Sequence, residues 1–441
     1  MIGRRTLLIV VLFFFLPWLR SAPWAQSTVD APWIFQVKTF PIDAALAVVD
    51  TSGRRIGNLA PRGWNDLWRN YQSSTPPESI LVTADGHRSR ELLVPPGASP
   101  PAAEVRLLPN DGPLQLVAEL PTGDSPKSVA FLPQGQLVVP LLRGPGIDVF
   151  QLTTDRWGQT QVEPQGRVAP PAPAAGRSGF VEPLVDESGG RLWVSQMLTD
   201  QLHAFALSDL SYQMSVPSGG RWPKVIAGDE DRQRLLSTNW LGQSLSLRED
   251  RGTGELVAAL GLGEVPRGLA VDPATGTAWV CLFTSGDILV VDLDTLSVMD
   301  RLSLGPGSAR HIVVHPTTRR AYYSDMYNAT VTALDLDTRE ILVRRQVGIN
   351  LNTIAVDPAG RYLYVSERGP NGSAGYLYRG PVFGRIFVLD LDDLSVVQTI
   401  WAGHQPTGLA VSPDGRFVAA TDFLDDNLSV YSVMPATKLR N

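Results

Sequence analysis

Residues 265–304, VPRGLAVDPATGTAWVCLFTSGDILVVDLDTLSVMDRLSL, contain four short β-strand patterns in succession. The predicted strands are RGLAVD, TAWVCLF, ILVVDLD and VMDRLSL, and the turns between them are PATG, TSGD and TLS. Turn residues that regularly interrupt β-rich runs in this way are typical of an antiparallel meander. A single sheet of this kind cannot bury both of its faces, so it needs copies of itself beside it.

The same unit recurs along the chain. The turn after its first strand holds Pro273, and the equivalent positions, called anchors below, are Pro133, Glu187, Glu230, Pro316, Pro358 and Pro413. The intervals between successive anchors are 54, 43, 43, 43, 42 and 55 residues. A period of about 40–50 residues with four strands per copy is typical of a β-propeller. The anchors therefore predict a seven-bladed propeller in an all-β protein.

The second strand of most copies ends in a polar residue nine positions after the anchor. These endings are WVSQ (193–196), LSTN (236–239), YYSD (322–325), YVSE (364–367) and AATD (419–422). The repeat resembles the YVTN family of bacterial β-propeller repeats over residues 114–433. The resemblance implies the fold and little about the function, because such folds carry binding scaffolds and enzymes alike.

The last copy lacks a fourth strand. The chain continues only a few residues beyond LSVYSV (428–433), which is a third strand. The segment LQLVAELPTG (114–123), far upstream, looks like the fourth strand of other copies. We therefore expect residues 114–120 to close the ring of a propeller domain that covers residues 111–441, because closure removes exposed sheet edges.

Residues 1–27 are typical of an export signal. Two arginines at positions 4 and 5 precede an apolar segment at 7–19, and AQS at 25–27 offers a small-residue cleavage site. The apolar segment is too short to span a bilayer comfortably. An uncleaved anchor and a twin-arginine signal remain open as alternatives. We expect a bacterial periplasmic or secreted protein without a membrane span after cleavage.

Residues 28–110 predict a small β-sandwich. Strand-like runs FQVKTFP, AALAVVD, SILVTADGH, ELLVPP and EVRLLP alternate with turn residues. The order TFPIDAALAVVDTSGRRIG and then LVTADGHRSRELLV resembles PEGA-type and carboxypeptidase-regulatory-like domains, with an insert around Trp64, Trp68 and Tyr71 that is foreign to them. The resemblance implies an accessory binding or spacer module. The spacing of Trp64 and Trp68 favours packing onto their own domain over forming an adhesive patch.

Composition narrows the function classes. The formal net charge is −6 and no basic tract is present, which argues against nucleic-acid binding. The single cysteine, Cys281, lies in a predicted core strand and can form no internal disulfide. Five histidines without clustered carboxylates argue against a zinc or copper centre, so we expect neither a metal nor another cofactor.

One repeat position is enriched in cations. Six residues before each anchor, near the predicted top of the strand that lines the channel, the residues are Lys127, Val181, Lys224, Arg267, Arg310, Asn352 and Thr407. Four cations around one axis predict a positive mouth that attracts an anionic small molecule or an acidic peptide. The alternative is that these cations pair with the acids that end second strands, Asp325, Glu367 and Asp422, at a small gain in stability.

Further candidate residues lie on the same predicted top face, which carries the loops before first strands and after second strands. They are His311, His404, Arg368, Tyr376 and Tyr378, and the two tyrosines belong to an insert at 366–384 in the sixth blade. Aromatic residues in a loop above a charged mouth suit ligand or partner capture, with packing onto the propeller as the alternative. Serines 195, 324 and 366 recur at one position, which favours a structural hydroxyl over a nucleophile.

Two functions remain open. The first is a non-catalytic binding or scaffold protein whose top face recognises a partner protein or an anionic ligand. The alternative, implied by the family resemblance, is a lactonase-like or other propeller enzyme with its site at the channel mouth. Its candidate reactive groups are Glu182, Arg267, Arg310 and His311. Convergence of these groups on one pocket would favour the enzyme, and a broad solvated ring would favour the scaffold.

Overall fold

The computed structural model describes residues 33–41, 43–49, 55–59, 61–65, 68–73, 79–94, 102–171, 178–249 and 254–434. The predicted export signal at residues 1–27 lies outside the described residues. Apart from one short 3₁₀ turn at Pro316–Thr318, the regular structure of the described residues is β-strand. Among them, no helix is long and apolar enough to cross a bilayer.

Seven four-stranded antiparallel sheets form the blades of a propeller. The first strands line the channel: Ala130–Phe131, Phe180–Asp186, Pro223–Asp229, Pro266–Asp272, Ala309–His315, Leu351–Val356 and Pro406–Val411. The second strands follow: Gln136–Pro140, Arg191–Gln196, Arg234–Asn239, Thr277–Leu282, Arg320–Asp325, Tyr362–Glu367 and Phe417–Asp422.

The outer half of each blade consists of a third and a fourth strand. The third strands are Ile147–Thr154, Gln201–Ala206, Ser244–Glu249, Ile288–Asp292, Thr330–Asp335, Arg385–Asp390 and Asn427–Val433. The fourth strands are Thr160–Val168, Tyr212–Pro217, Leu256–Gly261, Ser297–Leu302, Ile341–Gln346, Val396–Trp401 and Leu114–Pro121.

Burial along the strands explains this order. Second strands such as Thr277–Leu282 are buried at every position, because neighbouring blades cover both of their faces. Outer strands such as Tyr212–Pro217 alternate between half-buried and exposed residues, as expected for a strand with one solvent-exposed face. The core consists of clusters between adjacent blades, for example Leu236 and Leu245 of the third blade against Val280 and Leu289 of the fourth.

The ring is closed by a strand from the start of the propeller segment. Leu114–Pro121 pairs antiparallel with Asn427–Val433 and forms the outer strand of the seventh blade. The described residues therefore form an all-β protein with a seven-bladed propeller, as the repeat predicted.

A small two-layer β-domain precedes the propeller. One sheet contains Pro61–Asn65, Trp68–Ser73, Trp33–Phe40 and Ala102–Arg106, and the other contains Arg55–Leu59, Ala45–Val49, Ser79–Thr83 and Arg90–Leu93. The two sheets share one core that includes Val37, Leu46, Tyr71 and Val82. The insert that was foreign to the sequence pattern thus supplies two strands of the sandwich, and its Tyr71 packs in the core.

Hydroxyl groups join neighbouring blades near the channel. The Ser195 hydroxyl accepts from the Glu182 N–H and donates to the Lys224 carbonyl of the next blade, at 3.1 and 2.8 Å. Ser324 donates in the same way to the Asn352 carbonyl. The prediction that these recurring serines are structural is confirmed. In the fourth blade Cys281 occupies this position, and burial raises the pKa of its thiol.

Candidate functional site

The cations predicted from the repeat converge on one cavity at the top of the channel. Its volume is about 430 Å³, and Lys127, Lys224, Arg267 and Arg310 all line it. We call the seven positions six residues before the anchors the ring. In blades two to seven the ladder between the first and second strands shifts its register at the ring position. A bulge of this kind redirects a side chain, which explains why this position serves the channel.

A second set of seven residues, the collar, lies one rung above the ring. Each collar residue donates its backbone N–H to the carbonyl two residues before a ring residue, as Trp240 does to Trp222 and Phe283 to Val265. Two residues along a strand span about 6–7 Å, so the collar lies closer to the mouth than the ring does. Its members are Leu142, Met197, Trp240, Phe283, Met326, Arg368 and Phe423.

The upper part of the cavity is largely apolar. Besides the four ring cations, the residues that line the cavity are Leu142, Met197, Trp222, Trp240, Phe283, Met326, Arg368 and Tyr376. The rings of Trp240 and Phe283 lie 4.9 Å apart, and the Lys224 ammonium lies 5.6 and 5.8 Å from the rings of Trp222 and Trp240. The cavity therefore has cations below and aromatic and thioether groups above.

Negative charge is scarce around these cations. Among the described residues, no carboxylate lines the cavity. Glu182 lies beside it and accepts a hydrogen bond from Arg267 at 3.0 Å. The Glu182 side chain is buried, and Arg267, together with the Ser128 hydroxyl, lowers the pKa of its carboxyl against the opposing effect of burial.

Two buried guanidinium groups of the cavity lining each have an unused donor. Arg267 and Arg310 are 3% and 6% exposed, and Nη1 of each lies without a hydrogen-bond partner. A buried charged donor without a partner costs free energy, and an anion would recover it. These two atoms are the strongest indication that the cavity receives a ligand.

Burial shifts the ionisation of the ring. Desolvation, together with the charges of Arg267 and Arg310, lowers the pKa of Lys224 to about 7. Burial also lowers the pKa of Lys127 and of Arg310 well below their ordinary values, and the surrounding cations add to the effect. Arg368 stacks 4.9 Å from the Tyr376 ring, and burial lowers its pKa to about 10.

His311 lies next to this cluster without lining the cavity. Burial lowers the pKa of His311 to about 3, so its imidazole is neutral at neutral pH, and its Nδ1 has no hydrogen-bond partner. Of the four candidate reactive groups, Arg267 and Arg310 therefore reach the cavity, whereas Glu182 and His311 do not line it.

The alternative in which the ring cations pair with the acids that end second strands is not supported by the partners that these acids have. Asp325 accepts hydrogen bonds from the N–H groups of Ser308, Tyr327 and Asn328, and so fixes its own loop. Glu367 accepts two hydrogen bonds from Arg385 and one from the Ile349 N–H. Both carboxylates satisfy backbone or outer-strand donors, which leaves the ring without counter-ions from them.

Asp422 and His404 belong to a contact with the β-sandwich. Arg106 of that domain lies 3.7 Å from Asp422 and also pairs with Glu119 of the outer strand. Burial raises the pKa of Asp422 to about 7. His404 contacts Asp425 at 3.1 Å and Glu104 of the sandwich at 3.6 Å. The sandwich thus lies along the side of the seventh blade and reaches the top face, and these two candidates do not reach the cavity.

The insert of the sixth blade connects the two regions. Its Tyr376 lines the cavity, whereas its Phe383 packs 4.9 Å from Phe40 of the sandwich and 4.5 Å from the ring of His404. Tyr378 is exposed and lies away from the cavity. Of the two tyrosines predicted to capture a ligand, only Tyr376 is in position to contact one.

The collar was not recognised from the sequence. Six of its members lie ten residues after their anchors, directly behind the last residue of the second strand, and they are large in every case. A search of the repeat for a second periodic position would have found them. The signal was overlooked because apolar residues next to a β-strand are also what a core requires.

Fold and site together define a seven-bladed β-propeller protein with an electropositive cavity at one end of its channel. A family model described as "Lactonase, 7-bladed beta-propeller" matches residues 269–440. Antigen Lp49 of Leptospira interrogans is 34% identical over 325 residues, which cover 72% of this chain and 69% of that protein. The chain belongs to the same protein family as Antigen Lp49.

Two more distant similarities agree with this fold. A 6-phosphogluconolactonase of Pectobacterium carotovorum is 25% identical over 236 residues, or 48% of this chain and 67% of that protein. A chain of hydrazine synthase from Kuenenia stuttgartiensis superimposes with a TM-score of 0.58 at 18% identity, covering 71% of this chain and 97% of that chain. The second similarity bears on the fold alone.

Proposed function

We propose that this protein is an exported binding protein whose channel mouth holds an anionic ligand. The observation that carries the proposal is the pair of buried guanidinium groups of Arg267 and Arg310, whose Nη1 atoms point to no protein acceptor. They lie in a cavity of about 430 Å³, which is within the usual size range of small-molecule sites.

The electrostatics of the empty cavity favour an anion. Lys127, Lys224 and Arg310 have lowered pKa values because burial, and then repulsion from neighbouring cations that include Arg267, disfavour their charged forms. An anion would supply acceptors for these donors and reduce the repulsion between them. Charge-assisted hydrogen bonds of this kind contribute about 1.5–3 kcal/mol each.

Export is the second part of the proposal. The basic, apolar and small-residue order of residues 1–27 supports it. The name of Antigen Lp49 is compatible with a protein that an immune system encounters. A partner protein remains within the proposal if an acidic side chain or a terminal carboxylate of that partner occupies the mouth.

A lactonase is the alternative, and one observation favours it. A lysine whose pKa lies near 7 is half deprotonated at neutral pH, which is the ionisation that a general base or an amine nucleophile needs. In that scheme the Lys224 amine would activate water, and Arg310 would stabilise the oxyanion on the lactone carbonyl. The family model and the 6-phosphogluconolactonase similarity support the same alternative.

A thermal-shift titration tests the proposal. The protein would be titrated with sulfate, citrate and δ-gluconolactone, beside the double variant Lys224→Met/Arg310→Met and the control Arg416→Met, whose exposed side chain lies on the opposite face. We expect at least one anion to raise the midpoint of the protein and of the control but not of the double variant. Midpoints that stay unchanged with every anion would refute the anion site.

Hydrolysis separates the alternative from binding alone. Lactone opening that is lost in Lys224→Met, with Arg416→Met unchanged, would assign the enzyme function. Anion binding without lactone opening would leave the protein as a binding protein.

A further inference from the structure

We infer that the ligand of the mouth is an amphipathic anion, with its charged end in the ring and an apolar, preferably aromatic, body in the collar. The inference rests on the proposed anion site and specifies the chemical class of its ligand. Its basis is the vertical separation of the two layers, which the backbone hydrogen bonds of all seven blades establish.

The lower layer, the ring, would bind the charged end of the ligand. The side chains of Lys127, Lys224 and Arg310 come from the ring position, and no carboxylate of the cavity lining neutralises them. Arg267 is partly neutralised by Glu182 at 3.0 Å. A compact oxyanion at this depth would meet donors from four blades.

The upper layer, the collar, would bind the apolar body of the ligand. A ligand that reaches the ring has to pass between Met197, Trp240, Phe283 and Met326, with Trp222 and Tyr376 beside them. Large apolar groups at these positions gain nothing from a small hydrated ion. They stabilise a ligand whose upper part is itself apolar, since burying a group of phenylalanine size is worth about 1.5–3 kcal/mol.

The polar groups of the lining disfavour a sugar body. Among the described residues that line the upper cavity, the one charged side chain, Arg368, already stacks on Tyr376 and donates to Gln405, which leaves few polar atoms besides the Tyr376 hydroxyl and the indole N–H groups of Trp222 and Trp240. Sugar hydroxyls that enter such a layer lose hydrogen bonds to water and find few new partners, which costs free energy. The collar therefore selects against sugar phosphates relative to aryl phosphates of equal charge.

The arrangement of the aromatic groups narrows the class further. Trp240 and Phe283 lie in contact at 4.9 Å, and Trp222 lies beside Lys224 on the same side of the cavity. A flat aromatic group of the ligand can stack against these side chains while the oxyanion of the ligand reaches Lys224. Aromatic pairs of that kind contribute about 0.5–1.5 kcal/mol beyond the free energy of burying their apolar area. A two-ring body gains more contact than a one-ring body.

Isothermal titration with four phosphate monoesters at one pH tests the inference. The probes are methyl phosphate, glucose 6-phosphate, phenyl phosphate and 1-naphthyl phosphate, which share one charged group and differ in the body. We expect phenyl phosphate to bind about tenfold more tightly than methyl phosphate, and 1-naphthyl phosphate more tightly still. Glucose 6-phosphate should bind no better than methyl phosphate.

Two variants locate the effect in the collar. Trp240→Ala should reduce the affinity for phenyl phosphate much more than that for methyl phosphate, so that the preference for the aryl ester is lost. The matched control is Tyr327→Ala, which removes an exposed aromatic side chain of the top face that does not line the cavity. It should leave all four affinities as they are.

The outcomes separate this inference from the proposal beneath it. Equal affinities for all four probes, or a preference for glucose 6-phosphate, would overturn the amphipathic ligand and leave the anion site standing. No binding of any probe would overturn both. Tighter aryl binding that persists in Trp240→Ala would also overturn the inference, because it would place the aromatic body outside the collar.

Discussion

At the scale of single residues, the site has an excess of positive charge over negative charge. Four ring cations and Arg368 meet in a small volume, and among the described residues the nearby carboxylate is that of Glu182, which pairs with Arg267 and also acts on Lys224 and Arg310. The fold tolerates this arrangement because hydrophobic contacts between blades supply the stability. A site that is electrostatically costly when empty favours ligand binding at the expense of stability, which is usual for functional sites.

Glu182→Gln should move affinity and stability in opposite directions. The substitution leaves Arg267 buried without its counter-ion, so we expect the free energy of unfolding to fall by about 3 kcal/mol. The same loss makes the mouth more positive, so sulfate should bind more tightly, by about threefold or more. Urea denaturation and calorimetric titration measure the two effects. The exposed Glu187→Gln is the control, and weaker sulfate binding in Glu182→Gln would contradict the account.

Anion affinity should depend on pH through Lys224. Its pKa of about 7 in the free protein means that the ammonium loses its proton as the pH rises through neutrality. Sulfate keeps its charge over this range, so its affinity should fall between pH 6 and 9 by about tenfold. In Lys224→Arg the component of the decline centred near pH 7 should disappear. An unchanged profile in that variant would show that Lys224 does not control binding.

At the scale of elements, the hydroxyl groups behind the ring hold the bulges in place. Thr238 accepts from the Val225 N–H at 3.2 Å and donates to the Arg267 carbonyl at 3.3 Å. One hydroxyl thus provides a hydrogen-bond partner for the bulged backbone of its own blade and a donor to the backbone carbonyl of the ring residue in the next blade. The regular recurrence of Ser, Thr or Cys at this position follows from that double task.

Thr238→Val tests this role with a substitution of nearly equal shape. It leaves two buried backbone groups without partners, so the free energy of unfolding should fall by about 1–3 kcal/mol. Cys281→Ser, which places a hydroxyl where five other blades have one, should change stability by less than about 1 kcal/mol in either direction. The exposed Thr317→Val is the control for the loss of a hydroxyl. A loss no larger in Thr238→Val than in Thr317→Val would contradict the assigned role.

At the scale of the whole molecule, the sandwich and the propeller meet through buried polar groups. Asp422 lies among Arg106, Glu119 and Asp425, and burial raises the pKa of its carboxyl to about 7. An acid whose pKa is higher in the folded state than in the unfolded state binds a proton on folding. Its contribution to stability is therefore complete below about pH 4 and is lost as the pH rises towards 7.

Asp422→Asn should remove this pH dependence. We expect the parent protein to lose stability between pH 4.5 and 8 relative to the variant, so that the variant equals or exceeds it at pH 8. Urea midpoints at several pH values measure the difference, with the exposed Asp414→Asn as control. A variant that is less stable than the parent at pH 8 would show that the Arg106 pair keeps Asp422 ionised.

The sequence predicted the ring and the seven blades because both are periodic. For Arg267 and Arg310, both the charge of the side chain and its fixed distance from the anchor can be read from the sequence. The contacts of Asp422 and His404 could not be predicted in this way, because their partners Arg106 and Glu104 belong to the sandwich domain, which lies outside the repeat. The pairing of Glu182 with Arg267 could not be predicted either, because the two residues lie 85 positions apart and in different blades. The export signal and the YVTN and PEGA-like assignments stay predictions.

The most direct test of the central claim is a crystal structure of the protein soaked in tungstate, a heavy oxyanion that anomalous scattering locates without ambiguity. The account predicts an anomalous peak in the channel mouth, within hydrogen-bond distance of Arg310 and Lys224, and its loss in the Lys224→Met/Arg310→Met variant. An empty mouth in crystals that bind tungstate elsewhere would contradict the claim that this cavity is an anion site.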